Sequence, residues 1–179
     1  MLLLFVPPYF RRFVVLTTGP TILRVSPAAA LVGANGLQAV INYNTSLYLT
    51  DDSPAAEAHY RVRFYFDPNS IAMASGDNHY LFYGYTGTSQ VILRVQFRFY
   101  TGNYQLRVAL INDGATWRNS SWFTISDTAH FIELDWQAAT TVAANNGYLV
   151  LWIDDVQKAR LCLQRSPAPR TLAECDEEN

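Results

Sequence analysis

Charge is what this chain has least of. Only 16% of its 179 residues are Asp, Glu, Lys or Arg, and the net charge is −2, against about 25% charged residues in an average soluble protein. That balance leaves no electrostatic footprint for nucleic acid or for an anionic membrane surface. Cysteine is nearly absent too. Cys162 and Cys175 both stand towards the C-terminus, so neither a disulfide framework nor a zinc-ligand pair is written into the strand region. The two thiols are free to pair in an oxidising compartment or to stay reduced. Long apolar runs are missing as well. Met1 to Val6 breaks at Pro7-Pro8, with no basic residue ahead of it and no small-residue cleavage site behind, and Phe13 to Leu16 is far too short to span a bilayer. These features predict no membrane insertion and no secretory leader of the usual pattern. Helical periodicity is confined to single-turn stretches at Ala28 to Leu31 and Ala138 to Ala144, which excludes an amphipathic partner helix.

What fills the space is alternation. In the strand expected over Ala58 to Asp67, Tyr60, Val62, Phe64 and Phe66 fall on one face and Arg61, Arg63 and Tyr65 on the other. Val91 to Tyr100 repeats the pattern, with Val91, Leu93, Val95, Phe97 and Phe99 against Arg94, Gln96, Arg98 and Tyr100. A period of two buries one face of a strand and wets the other. The strand arginines, spread singly among apolar residues, read as the solvated face of a sheet. Further strands are expected at Ile22 to Val25, Leu37 to Asn42, Leu47 to Thr50, His79 to Tyr85, Tyr104 to Asn112, Ser121 to Ile125, His130 to Gln137 and Gly147 to Ile153. They are punctuated by Gly33-Ala34-Asn35-Gly36, Asp67-Pro68-Asn69, Gly76-Asp77-Asn78, Thr101-Gly102-Asn103, Asn112-Asp113-Gly114 and Asn145-Asn146-Gly147. Even spacing of short strands predicts an all-β, antiparallel two-sheet sandwich. The expected organisation is an atypical segment over 1–19, one sandwich domain over 20–163 and a disordered polar tail over 164–179.

Four stretches resemble the bacterial concanavalin A-like, laminin-G-like jelly-roll domains: Gly33 to Leu37, His59 to Asn69, Asp127 to Trp136 and Ala143 to Asp154, together covering roughly 26–161. The resemblance implies a jelly roll of two packed antiparallel sheets, set in a larger extracellular or cell-surface protein. The chain departs from that pattern where Asp155 replaces the glycine of a tight turn and where the closing C-terminal strand is missing. The resemblance carries no activity by itself.

Three functional classes stay in view. A non-catalytic binding or adhesion module for a glycan or a protein is the leading one. Its candidate ligand residues are Trp117, Trp122, Asn119, Tyr83 and Tyr85, because sugar sites combine aromatic platforms with amides; Tyr100 and Tyr104 are further aromatics of the same kind. A structural spacer between neighbouring domains is the alternative. The third is a laminarinase-type glycoside hydrolase, which Glu133-Leu134-Asp135-Trp136-Gln137 resembles. There Gln137 stands where a retaining mechanism needs its second carboxyl group, and Glu133 and Asp135 read as solvated outer-face residues. No catalytic residue and no resident cofactor are expected. Calcium is open, since Asp51-Asp52, Asp77-Asn78, Asp113 and Asn145-Asn146 lie in turns, although aspartate and asparagine are the residues turns prefer anyway. His130 reads as the start of a strand, capping a nearby carbonyl.

Overall fold

The computed structural model describes residues 2–5, 22–41, 46–51, 56–86, 90–141 and 144–162. Among these residues the protein is all-β and sandwich-like, with antiparallel sheets and no α-helix. Twelve strands follow one another: β1 (Leu2–Phe5), β2 (Ile22–Ser26), β3 (Gly36–Val40), β4 (His59–Asp67), β5 (Asn78–Thr86), β6 (Gln90–Tyr100), β7 (Asn103–Ile111), β8 (Trp117–Asn119), β9 (Phe123–Ile125), β10 (His130–Gln137), β11 (Tyr148–Ile153) and β12 (Val156–Cys162). One sheet has the order β12-β11-β10-β4-β1-β3-β2. The other runs β5-β6-β7-β8, with β9 also paired to β7.

The alternation does what it predicts. On β4, Val62, Phe64 and Phe66 are buried while Arg61 and Arg63 are exposed. On β6, Leu93, Val95 and Phe97 are buried at 2% exposure or less. Their counterparts on β7 are Leu106, Val108 and Leu110, brought opposite Phe97, Val95 and Leu93 by the hairpin register. That hairpin is tighter than the sequence suggests. Tyr100 pairs with Asn103, so only Thr101 and Gly102 form the loop, with φ of +49° and +81°, the positive pair that a type I′ turn requires.

The chain forms two compact units. One comprises the described residues of 1–55, 63–73 and 126–132. Its buried side chains include Leu23, Ala29, Leu37, Phe64, Phe66, Ile71 and Ile132. Here β2 pairs with β3, and the 3-10 turn Pro27–Ala29 is started by the Ser26 hydroxyl, which accepts from the Ala28 N–H at 3.1 Å. Gly36 faces the Ala29 carbonyl so closely that a Cβ there would lie 1.8 Å from its oxygen. The other unit comprises the described residues of 56–62, 74–125 and 133–179 and holds the whole five-stranded sheet. Its buried residues also include Leu134, Leu149, Leu151 and Ile153.

Several expectations change. Leu2–Phe5, assigned to a segment ahead of the domain, is a strand paired with both β3 and β4. Leu47 to Thr50 is irregular, because four alternating residues without a partner register do not make a strand. The expected strand Ser121 to Ile125 begins at Phe123, and Trp117–Asn119 forms a separate short strand ahead of it. Beyond β11 the chain continues into β12 across Asp154-Asp155. Both aspartates adopt positive φ, +53° and +62°, so the hairpin closes without the glycine such turns favour. Cys162 is disulfide-bonded. The expected disordered tail, Phe13 to Leu16 and Asp52 lie outside the described residues.

Candidate functional site

The five-stranded sheet has one buried face and one face of aromatic rings, arginines and amides. Register assigns the second face row by row. Asn119 of β8, Ala109 of β7, Arg94 of β6 and Tyr83 of β5 stand side by side. The next row is Arg107, Gln96 and Tyr80, and the one after it Thr124 of β9, Gln105, Arg98 and Asn78. Trp117 adjoins the first row opposite Ile111.

A break in register at Leu81 shapes this face. Tyr80 pairs with Gln96 and Phe82 with Val95, so Leu81 is the extra residue of a β-bulge. A bulge re-aims the residues that follow it, and Tyr80 and Tyr83 therefore share a face although three positions separate them. Their ring centroids lie 4.9 Å apart, and those of Tyr83 and Tyr85 lie 6.0 Å apart. All three tyrosines are exposed. The Tyr83 hydroxyl is pushed up to about 12, first by burial and then by Tyr80 and Tyr85, against the opposing charge of Arg94. It stays a protonated donor across the physiological range.

The arginines lie over the tryptophans. The Arg94 guanidinium is 4.0 Å from the centroid of Trp117 and 5.5 Å from that of Tyr80. Trp122 carries two: Arg98 at 4.0 Å and Arg107 at 4.3 Å, with Arg98 also 4.4 Å from Tyr100. Glutamines fix their orientation. Arg107 Nε donates to Gln96 Oε1 and Arg98 Nε donates to Gln105 Oε1, both at 2.8 Å. Among the described residues no carboxylate forms an ion pair with Arg94, Arg98 or Arg107. The Arg107 pKa is drawn down by burial first and then by the charges of Arg94 and Arg98. The Nε of Arg94 and the Oδ1 of Asn119, on either side of Ala109, are buried and have no hydrogen-bond partner among the described residues.

Of the five residues expected as ligand contacts, Trp117, Asn119, Tyr83 and Tyr85 fall on one sheet, and Trp122, in the link between β8 and β9, lies against Arg98 and Arg107 of that sheet. Tyr104 does not join them: it stacks on Phe97 at 5.4 Å on the buried side. Sequence reasoning missed Tyr80, hidden by the bulge, and the convergence of three arginines. Arg94 and Arg98 were visible as alternate residues of one strand, and the Thr101-Gly102 turn was the signal that would have set Arg107 beside them.

The strand resembling a hydrolase motif is arranged differently from a pair of solvated carboxylates. Glu133 is 5% exposed, and one oxygen, Oε1, accepts from both Nε and a terminal amine of Arg61. That hydrogen bond is the first cause of the raised Arg61 pKa. Asp135 meets His59 Nε2 at 2.5 Å. Each carboxylate is therefore held by a cation-forming side chain from β4, and Arg61 also lies 5.5 Å from the Trp152 ring. His130 opens β10 with Nε2 at 3.0 Å from the Ser126 hydroxyl and 3.2 Å from its carbonyl. The turn residues serve turns: Asp77 accepts from the Ala74 N–H, Asn112 from Gly114 and Thr116, and Asn146 from Thr140. Among the described residues no three His, Cys, Asp or Glu side chains gather as a metal site. No described helix is long and apolar enough to cross a membrane.

Comparison with family models, with curated proteins and with solved structures returned no match to this chain.

Proposed function

We propose that this chain is a non-catalytic binding module, a sandwich of the concanavalin A-like jelly-roll type, and that the aromatic face of its five-stranded sheet binds a glycan. The observation that carries the reading is the set of three exposed rings on β5, Tyr83 in contact with both Tyr80 and Tyr85, on the sheet whose arginines lie over Trp117 and Trp122. A pyranose presents an apolar C–H face and a rim of hydroxyls. The first lies on aromatic rings, and the second is read by amides and hydroxyls, here Asn119, Gln105 and the tyrosine hydroxyls. Large exposed aromatics carry a solvation cost that a soluble protein ordinarily avoids when it clusters them. The disulfide at Cys162 favours an oxidising compartment, in keeping with a place outside the cell.

A glycan array probed with the folded protein, once with calcium and once with chelator, tests this. The expected result is binding to a defined sugar class, lost in Tyr83→Ala and weakened in Trp122→Ala, with both variants keeping the wild-type circular dichroism. Absence of binding to every glycan in both buffers would overturn it and leave a structural spacer as the better description.

A further inference from the structure

Building on the glycan reading of the same face, we infer that the ligand is an acidic sugar, whose carboxylate or sulfate oxygens are received by Arg94, Arg98 and Arg107. The case rests on charge without a counter-charge. The whole chain has net charge −2, yet this face gathers three guanidiniums and, among the described residues, no carboxylate pairs with any of them. Arg61 differs: its guanidinium is paired to the buried Glu133.

Like charges at close quarters repel, and burial makes the repulsion dearer; both act on Arg107. An anion seated among the three would relieve it. The guanidiniums are also pre-oriented. Gln96 and Gln105 each take one Nε–H, and the rings of Trp117 and Trp122 hold the planes, which leaves the terminal N–H groups as forked donors for paired oxygens. Of the 13 basic residues in the chain only Lys158 is a lysine, and the planar arginine is the side chain suited to such recognition. Arg94 Nε adds a buried donor with no partner in the described protein. A nucleic acid strand fits less well. It needs a line of cations tracking many phosphates, whereas here one compact cluster sits beside uncharged tyrosines on an acidic chain.

The test uses the full chain and five probes: a sulfated glycosaminoglycan, its desulfated form, a polyuronate, its carboxyl-reduced form and a neutral β-glucan. Binding is followed by tryptophan fluorescence at two salt concentrations, with a single-stranded oligonucleotide as competitor. The expected result is binding of at least one acidic probe, lost on chemical removal of its acid groups and weakened by salt. The desulfated and carboxyl-reduced arms then distinguish sulfate from carboxylate. Arg98→Gln and Arg107→Gln are expected to weaken that binding about ten- to a hundredfold, and Arg160→Gln, on β12, to leave it unchanged. If either glutamine variant loses the native melting transition, Arg98→Lys replaces it; it keeps the charge, loses the fork and is expected to bind several-fold more weakly than wild type. Equal binding of neutral and acidic forms, indifferent to the arginine variants but lost in Tyr83→Ala, would overturn the acidic-sugar inference and leave the glycan reading standing. Binding to no glycan overturns both, as does an oligonucleotide that outcompetes every sugar.

Discussion

Replacing Thr101 by asparagine should stabilise the protein, and the hairpin that organises the arginine face makes the size of the gain calculable. Thr101 sits at φ +49°, followed by Gly102 at +81°. A β-branched residue in the left-handed region carries a steric cost of about 1–2 kcal/mol, which asparagine largely escapes. Glycine at the same place would also escape it, but would give back about 0.5–1 kcal/mol through the greater freedom of its unfolded chain. The contacts here survive substitution. The Thr101 N–H donates to Ser75 Oγ and its carbonyl accepts from Asn103 Nδ2, both through the backbone, and the exposed side chain makes no hydrogen bond among the described residues. Thr101→Asn should therefore gain about 1 kcal/mol, Thr101→Gly about half of that, and Thr101→Val nothing. In a chain of this size 1 kcal/mol raises Tm by about 2–4 °C. Thermal melts of the four proteins measure the order directly. Asparagine no more stable than valine would refute the argument, because the left-handed strain at position 101 would then be absent.

The remaining predictions concern pH, packing and the ion pair. His79 is half-buried opposite Phe97, and burial pulls its pKa down against the opposing effect of Asp77. Above the unfolded histidine pKa of about 6.5 it contributes no pH dependence; below that, the unfolded chain takes up the proton first, so stability falls as pH drops toward the folded value. Urea midpoints between pH 7.5 and 5 should show this slope, and His79→Gln should flatten it. The Asp127 carboxylate, which accepts from the Ser70 hydroxyl and N–H, titrates below its ordinary value for that reason. Its contribution is complete above the unfolded aspartate pKa and is lost as pH falls through the lower folded one, so Asp127→Asn should lessen acid sensitivity below about pH 4. Gly36→Ala should cost about 3 kcal/mol or more, since its Cβ meets backbone rather than a movable side chain; a melt within 2 °C of wild type would contradict that. Arg61→Met removes a charge-assisted donor from the buried Glu133 carboxylate and should cost about 1–3 kcal/mol at neutral pH; a thermal melt indistinguishable from wild type would contradict that.

How much of this was legible depends on the range over which the residues interact. Period-two alternation is a local property, and β4, β6 and β7 could be read from it because each buries one face against a core that any sandwich supplies. β12 was harder. Val156 to Cys162 has an exposed first half, and an edge strand paired on one side needs little apolar pattern. Its turn, Asp154-Asp155, also lacks the glycine that announces such hairpins. Leu47 to Thr50 failed for the converse reason, since alternation without a neighbour to pair with is only a pattern. The pairing of Leu2–Phe5 with β3 and β4 joins positions more than 30 residues apart, which no local window contains.

The arginine face combines both kinds of limit. Tryptophan, tyrosine and asparagine could be picked out as ligand-type residues by their chemistry alone. The arginines could not, because singly they are ordinary solvent-facing strand residues. They acquire meaning only when register sets Arg107 beside Gln96, and Gln96 lies between Arg94 and Arg98 on its own strand. Two short-range features decide that geometry: a two-residue turn, which fixes which side chains oppose each other, and one inserted residue at Leu81, which turns Tyr80 onto the tyrosine row. Shifting the β6–β7 register by one residue would move Arg107 from the outer face to the core. A loop insertion between Thr101 and Gly102 is thus a sharper probe of the face than deletion of any one of its rings, because it should scatter the three guanidiniums while leaving every residue of the site in the chain.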